Sequence, residues 1–320
     1  MRRLMVGAGV AATVLLLCLV AAGSGATPSP VAGFGNGRIV FIGETADDSQ
    51  LWTVWPNGTH AQQITHTPAG AQNPDWSPDN RDLVFAEVIP GTDELTRTAF
   101  IKPDGSHLRR LPPTLACGEN QPSYFPDGRS IVYVSWDCAD DEAVFRRNID
   151  GSHIERITPP SRFEWSDPNV SPDGTRISYV RIENQDQGQA QALTVSDVNG
   201  AHFHRLTPYS FEVFTKQAWS PDSKLLAFTR TRGDGPANIC LIRPGGSHLR
   251  CLTHLHNQRY GAIVGSFSPD GRWLVYRFED NVTGKSALWR MHVDGTHRHR
   301  IWSQNGLTPR SIDWGNKARP

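Results

Sequence analysis

The sequence predicts an all-β protein: a six-bladed β-propeller of four-stranded antiparallel blades, closed by the C-terminal strand joining the first blade. Three observations carry this. A turn motif recurs five times, as "WSPDN" (76–80), "YFPDG" (124–128), "VSPDG" (170–174), "WSPDS" (219–223) and "FSPDG" (267–271). A second motif runs in step six times, as "WPNGTH", "KPDGSH", "NIDGSH", "DVNGAH", "RPGGSH" and "HVDGTH", with glycines at 58, 105, 151, 200, 246 and 295. The motif prolines at 78, 126, 172, 221 and 269 set a period of 46 to 49 residues, the size of a propeller blade. A lone blade cannot bury both of its faces, whereas a ring of six can.

Each unit reads in the same order. A short strand ends in a large residue, the Ser-Pro-Asp-Gly turn follows, and then comes a β-branched and aromatic strand such as "LVFAE", "IVYVS", "ISYVR" or "LLAFT". A variable loop leads to a third strand ("LWTVW", "LWRMH"), the second turn, and a fourth strand ("AQQIT", "LRRLP", "IERIT"). In the second turn, Asp or Asn before Gly suits a type I turn closed by a left-handed glycine. The chain ends complement one another. "GNGRIVFIG" (35–43) has no inner strand before it, and "SIDWG" (311–315) is an inner strand with no blade after it. If they pair, the ring closes and no edge strand is left exposed. The inner strands then end at Trp76, Tyr124, Val170, Trp219, Phe267 and Trp314, and the propeller spans 35–315 with a tail at 316–320.

These repeats, "NPDWSPDNRDLVF" and "DGSHIERIT" above all, resemble those of TolB-type WD-like (PD-repeat) six-bladed propellers, which also occur in prolyl oligopeptidases. The resemblance covers nearly all of 35–315. It implies the fold strongly and the function weakly, because one fold hosts many activities. TolB carries an α/β domain before its propeller, and here only the linker 27–34 separates propeller and leader. The oligopeptidases carry their catalytic triad on a hydrolase domain, which is not expected here.

The N-terminus reads as a secretory signal peptide over residues 1–26: "MRR", an apolar run from Val6 to Ala22, and small residues Ser24 and Ala26 before the cut. The alternative is a retained membrane anchor, although the apolar run is short of the roughly 20 residues that span a bilayer. Leu17 before Cys18 does not suit a lipoprotein signal. The expected location is secreted or periplasmic, with membrane contact only through an uncleaved N-terminal segment. The chain has 320 residues with 32 basic and 32 acidic side chains, a balance that does not suggest nucleic-acid binding. A monomer is expected.

Four cysteines remain after the leader. Cys117 and Cys138 fall in loops on one face and are expected to bridge; Cys240 and Cys251 flank a hairpin turn at positions equivalent to Trp52 with Gln63, Phe145 with Arg156, and Trp289 with Arg300. A bulge at that turn would point the thiols apart, and buried free thiols are the alternative for both pairs.

Linear signatures of catalysis are missing: no nucleophile elbow outside the leader, no HExxH, no phosphate-binding glycine loop and no paired CxxC. His60, His107, His153, His202, His248 and His297 follow the second turn and read as rim residues that pack the turn, too far apart to share an ion. "HLH" (254–256) and "HRH" (297–299) read as solvated pairs, with metal binding as the alternative, and "DCADDE" (137–142) as a solvated loop, with Ca²⁺ binding through its carboxylates as the alternative. No metal and no cofactor are expected.

Both repeated turns project from one face of the ring and the varied connecting loops from the other. Binding is expected on the loop face, with Arg162, Phe163, Trp165, Phe211, Phe214, His254 and Tyr260 as contact residues; the alternative for each is packing between blades. Asn73, Gln121, Asp167 and Lys216 are expected at the mouth of the central channel. The leading reading is a non-catalytic scaffold for a protein, a peptide or a cell-envelope polymer. The alternative is a propeller enzyme, a lyase or a glycan or peptide hydrolase, with its site at the channel mouth. Clustered Asp, Glu or His with perturbed pKa values in the channel would favour the enzyme.

Overall fold

The computed structural model describes residues 36–92, 95–114, 118–136, 142–161, 163–185 and 188–316. The first blade holds β1 (Asn36–Glu44), β2 (Ser49–Val54) and β3 (Gln62–Gln63). The second holds β4 (Ala71–Trp76), β5 (Leu83–Val88), β6 (Thr96–Ile101) and β7 (Arg109–Arg110). The third holds β8 (Glu119–Tyr124), β9 (Ser130–Trp136), β10 (Glu142–Asn148) and β11 (Glu155–Arg156). In the fourth are β12 (Glu164–Val170), β13 (Arg176–Gln185), β14 (Gly188–Asp197) and β15 (His204–Arg205). A 3-10 turn, Tyr209–Phe211, leads to the fifth: β16 (Val213–Trp219), β17 (Leu226–Arg230), β18 (Asn238–Ile242) and β19 (Arg250–Cys251). The sixth holds β20 (Tyr260–Phe267), β21 (Trp273–Asp280), β22 (Lys285–His292) and β23 (His299–Trp302). Finally β24 (Thr308–Asn316) returns to the first blade, giving the order β24-β1-β2-β3.

Closure is close-fitting. Ile39 pairs with Trp314 and Val40 with Asp313, and the Trp314 indole N–H donates to the Gly37 carbonyl at 3.2 Å. A Cβ on Gly37 would lie 1.8 Å from the Asn316 carbonyl oxygen, so only glycine lets the last strand approach.

Strand alternation explains how each blade serves two neighbours. Leu83 and Phe85 of β5 pack toward the first blade with Val40, Ile42 and Leu51, while Val84 between them packs toward the third with Tyr124, Ile131 and Tyr133. The same two-sided packing recurs around the ring, and the last interface joins Val275 and Leu288 of blade six to Ile39, Phe41 and Trp314 of blade one. The apolar core is thus a set of inter-blade seams.

The Ser-Pro-Asp-Gly turn has a local reason. Ser77, Ser171, Ser220 and Ser268 are buried, and each hydroxyl donates to the Asp two residues on, at 2.6 to 2.8 Å. Each also accepts the N–H five residues on, at 2.9 to 3.0 Å. A left-handed residue ends the turn, and glycine serves at 128, 174 and 271.

Cys240 and Cys251 are bonded as a disulfide across β18 and β19. They stand directly opposite in a register without a shift, at the positions filled elsewhere by Trp52 with Gln63, Phe145 with Arg156, and Trp289 with Arg300. Cys117 and Cys138 lie outside the described residues. Among the described residues, no helix is long and apolar enough to cross a membrane.

Candidate ligand site in the central channel

The six inner strands, β4, β8, β12, β16, β20 and β24, surround the channel. Toward the turn face it widens into a cup of about 460 Å³. Pro78, Pro126, Pro172, Pro221 and Pro269 form its rim, and Trp76, Tyr124, Val170, Trp219, Phe267 and Trp314 its wall. Asp75, Asp313 and Lys216 lie deeper, with Ser123, Asn169 and Gln217. Toward the loop face the space between Asn73, Gln121, Asp167 and Lys216 shrinks to about 10 Å³, room for about one water.

A bulge in each inner strand creates this constriction. Register with the neighbouring strand breaks between Gln72 and Asp75, Asn120 and Ser123, and Ser166 and Asn169. Asn73, Gln121 and Asp167 are left-handed there, with φ of 48°, 52° and 49°, and a proline follows each. Proline has no N–H for the ladder, and a bulge is where a strand tolerates it.

The channel carboxylates bind blade to blade. Tyr124 N–H donates to Asp75 at 2.7 Å, Trp76 N–H to Asp313 at 3.1 Å, and Gln217 N–H to Asp167 at 3.0 Å. Each bond crosses from one inner strand to the next. Burial, then the neighbouring Asp313, pushes the Asp75 carboxyl up to about 8, against the opposing pull of the Tyr124 N–H and Lys216. Burial raises Asp167 to about 6, countered by Lys216 and the Gln217 N–H. The upward shift favours the protonated, hydrogen-bond-donating form of Asp75, beside a second carboxyl and an ammonium. Among the described residues the Lys216 ammonium has no hydrogen-bond partner, which leaves it free for a guest.

Asn73, Gln121, Asp167 and Lys216 line one narrow space, and three of them are occupied by hydrogen bonds. Asn73 donates to Asn120 at 2.7 Å and accepts from Ser311 at 2.8 Å. Gln121 accepts from the Ser166 hydroxyl and the Asp167 N–H. Sequence reasoning missed the cup above them. Its signal was present: Asp75 before Trp76 and Asp313 before Trp314 put the same pair at one repeat position on two adjacent blades.

The expected loop-face residues divide. Trp165 is 3% exposed and packs with Tyr179 and Phe203, ring centroids at 5.5 and 5.0 Å. Phe211 is 8% exposed, inside the seam between blades four and five. Both take the packing alternative. Phe163 is half-buried beneath the Arg181 guanidinium, Phe214 is half-buried, and half-buried Tyr260 stacks on Phe278. His254 is exposed. Arg162 lies outside the described residues, as does most of "DCADDE". Burial, followed by the charge of Glu164, pushes the Glu142 carboxyl at the end of that loop up to about 7.

The six repeated histidines are all exposed, and their backbones are left-handed, with φ between 51° and 58°. Where the turn reads Asp-Gly-Ser or Asp-Gly-Thr, the aspartate accepts the N–H two residues on, as at Ser106, Ser152 and Thr296. The histidine follows as the second left-handed residue of the turn. Its position is set by backbone geometry.

No family model and no curated protein sequence matches the chain. Solved structures do. TolB from Acinetobacter baumannii is 17% identical with a TM-score of 0.69, over 87% of this chain and 66% of that one. A chain of a nidogen/laminin complex is 10% identical with a TM-score of 0.66, over 89% of this chain and all of the other. An oligogalacturonate lyase in complex with manganese is 14% identical with a TM-score of 0.53, over 85% and 75%. The chain therefore spans slightly less than two thirds of the TolB chain. At these identities the likeness is one of fold, and the chain has a TolB-like six-bladed propeller.

Proposed function

We propose that this protein is an exported, non-catalytic binding propeller that engages a protein, a peptide or a cell-envelope polymer by taking one of its groups into the turn-face cup. The cup carries the reading: about 460 Å³ within aromatic walls, over a floor with hydrogen-bond donors of both carboxylic-acid and ammonium type. That volume lies within the roughly 300–1,000 Å³ common for small-ligand sites. Aromatic faces suit the apolar side of a sugar ring or a side chain, and Lys216 with protonated Asp75 suits its polar end. The exported location accords with a disulfide between Cys240 and Cys251 and with the leader at 1–26. His254, Tyr260 and Phe214 supply a second, loop-face contact in this reading.

The test is capture from envelope extract by the mature domain, set against Lys216→Met and against His254→Ala with Tyr260→Ala. Recovered partners should quench the indole fluorescence of the wild type, and Lys216→Met should lose them. Equal capture by wild type and Lys216→Met would remove the cup from the proposal.

One observation favours a second reading, a lyase or hydrolase. Asp75 and Asp313 are neighbouring carboxyls in the channel, and the Asp75 carboxyl is shifted upward toward its protonated form, an arrangement able to supply an acid and a base. Incubation with acidic polysaccharides, followed by the ultraviolet absorbance of an unsaturated uronide, checks the lyase; loss of the signal in Asp313→Asn would support it.

A further inference from the structure

On the loop face, blade five holds a second cavity of about 250 Å³, unconnected with the cup's lining residues. Arg230, Thr231 and Arg232 form one wall, and Thr253, His254 and His256 another. Its base is firmly built. The Asn238 side chain donates to the Pro236 and Leu255 carbonyls and accepts from the Thr253 hydroxyl and the Leu255 N–H. Cys251, tied to Cys240, lies beside them.

Both arginines rest on one ring. The Arg230 guanidinium lies 4.6 Å and that of Arg232 5.5 Å from the Phe211 centroid. A guanidinium over an aromatic ring can be held there and still offer N–H donors to an anion. Among the described residues neither arginine forms an ion pair. The nearby Glu212 carboxylate accepts instead from the Thr231 hydroxyl at 2.6 Å. Burial, then the charge of Arg232, lowers the Arg230 pKa, as expected where two cations share a partly buried site.

We propose that this cleft is an oxyanion-binding site, which takes a single phosphate or carboxylate group together with the small residue that bears it. Guanidinium edges match both anions bidentately, and the exposed imidazoles of His254 and His256 add N–H donors from the facing loop. The volume lies below the usual range for drug-sized ligands, which limits the guest to one such group. Phe211 thereby gains a role besides packing: it holds two like charges side by side.

The experiment is calorimetric titration of the mature protein with inorganic phosphate and, separately, with D-glucuronate, at low ionic strength. Saturable binding of either probe is expected, and which one binds separates a phosphate from a carboxylate ligand. Arg232→Gln, at an exposed position, should weaken it by about tenfold or more, and Arg230→Gln should do the same. Lys224→Gln, an exposed cation that lines neither cavity, should leave it unchanged. Absence of saturation by both probes would overturn the assignment, as would equal binding by wild type and Arg232→Gln. Loss on Lys216→Gln alone would move the anion to the cup.

Discussion

The two faces of the ring hold cavities of different origin. The turn-face cup draws its lining from all six blades, whereas the loop-face cleft is made by blade five and the connection leaving it. A surface shared by every blade exists only when the ring is closed and regular. A surface within one blade needs only its own hairpins, here tied by a disulfide. The cup should therefore respond to any change in closure or in the inter-blade bonds, while the cleft should respond to local substitutions.

Closure gives the largest expected effect. Gly37→Val puts a side chain against the Asn316 carbonyl, which is backbone and has little room to move. We expect a loss of about 3 kcal/mol in urea unfolding, with partner capture through the cup lost at urea concentrations that leave the wild type active. Unchanged stability would mean that β24 does not close the ring as described.

The channel floor gives the next. Asp75 titrates near 3.8 when unfolded and at about 8 when folded. Below the lower value both states hold the proton and the group costs nothing. As pH rises past it the unfolded chain releases its proton and the folded chain does not, so stability falls until about pH 8. The size is on the order of a few kcal/mol at most. Asp75→Asn should flatten this fall in melting temperature between pH 5 and 8, because the amide keeps an acceptor for the Tyr124 N–H. Parallel curves for the two proteins would contradict the protonated Asp75.

How far these features could be read beforehand depended on whether the repeat expressed them. The five proline turns and six Gly-His turns fixed blade number, inner-strand ends and closure, and Cys240 with Cys251 followed because equivalent pairs in other blades gave the register. Trp165 and Phe211 misled because loop residues beside a blade edge also seal the seam between blades, and an aromatic side chain serves burial and contact equally well. The cup was hidden for a geometric reason. Its wall is one residue from each repeat, unremarkable within any single copy, and only the ring brings Trp76, Trp219 and Trp314 around one space. The bulges at Asn73, Gln121 and Asp167 were also unread, although Asn-Pro, Gln-Pro and Asp-Pro at one register position marked them.

A smaller effect is expected from the turns that carry the cup's rim. Ser220→Ala removes the donor to Asp222 and the acceptor for the Leu225 N–H, which should cost about 1 kcal/mol. Ser171→Ala and Ser220→Ala belong to adjacent blades whose turns touch, since the Asp173 N–H donates to Ser223 at 3.0 Å. Ser268→Ala with Ser77→Ala should add more nearly independently in chemical denaturation. Strict additivity for every pair would argue that neighbouring turns do not support one another.

The smallest effect separates backbone from side chain at the repeated histidines. His107 has a φ of 57°, a region that suits glycine and carries a steric cost for other L-residues. In His107→Gly that strain is relieved, but the unfolded chain gains freedom, and the two changes oppose each other. The net should be a gain of no more than about 0.5 kcal/mol, measured as a small rise in melting temperature. His107→Val, whose branched side chain fits this region poorly, should instead destabilise by about 1–2 kcal/mol. If glycine proved as damaging as valine, the imidazole itself would be stabilising the turn, through its contact with the Ser106 hydroxyl at 2.8 Å. The six histidines would then have to be read as side chains in use, and the uniform rim of the turn face would become a surface with chemistry of its own.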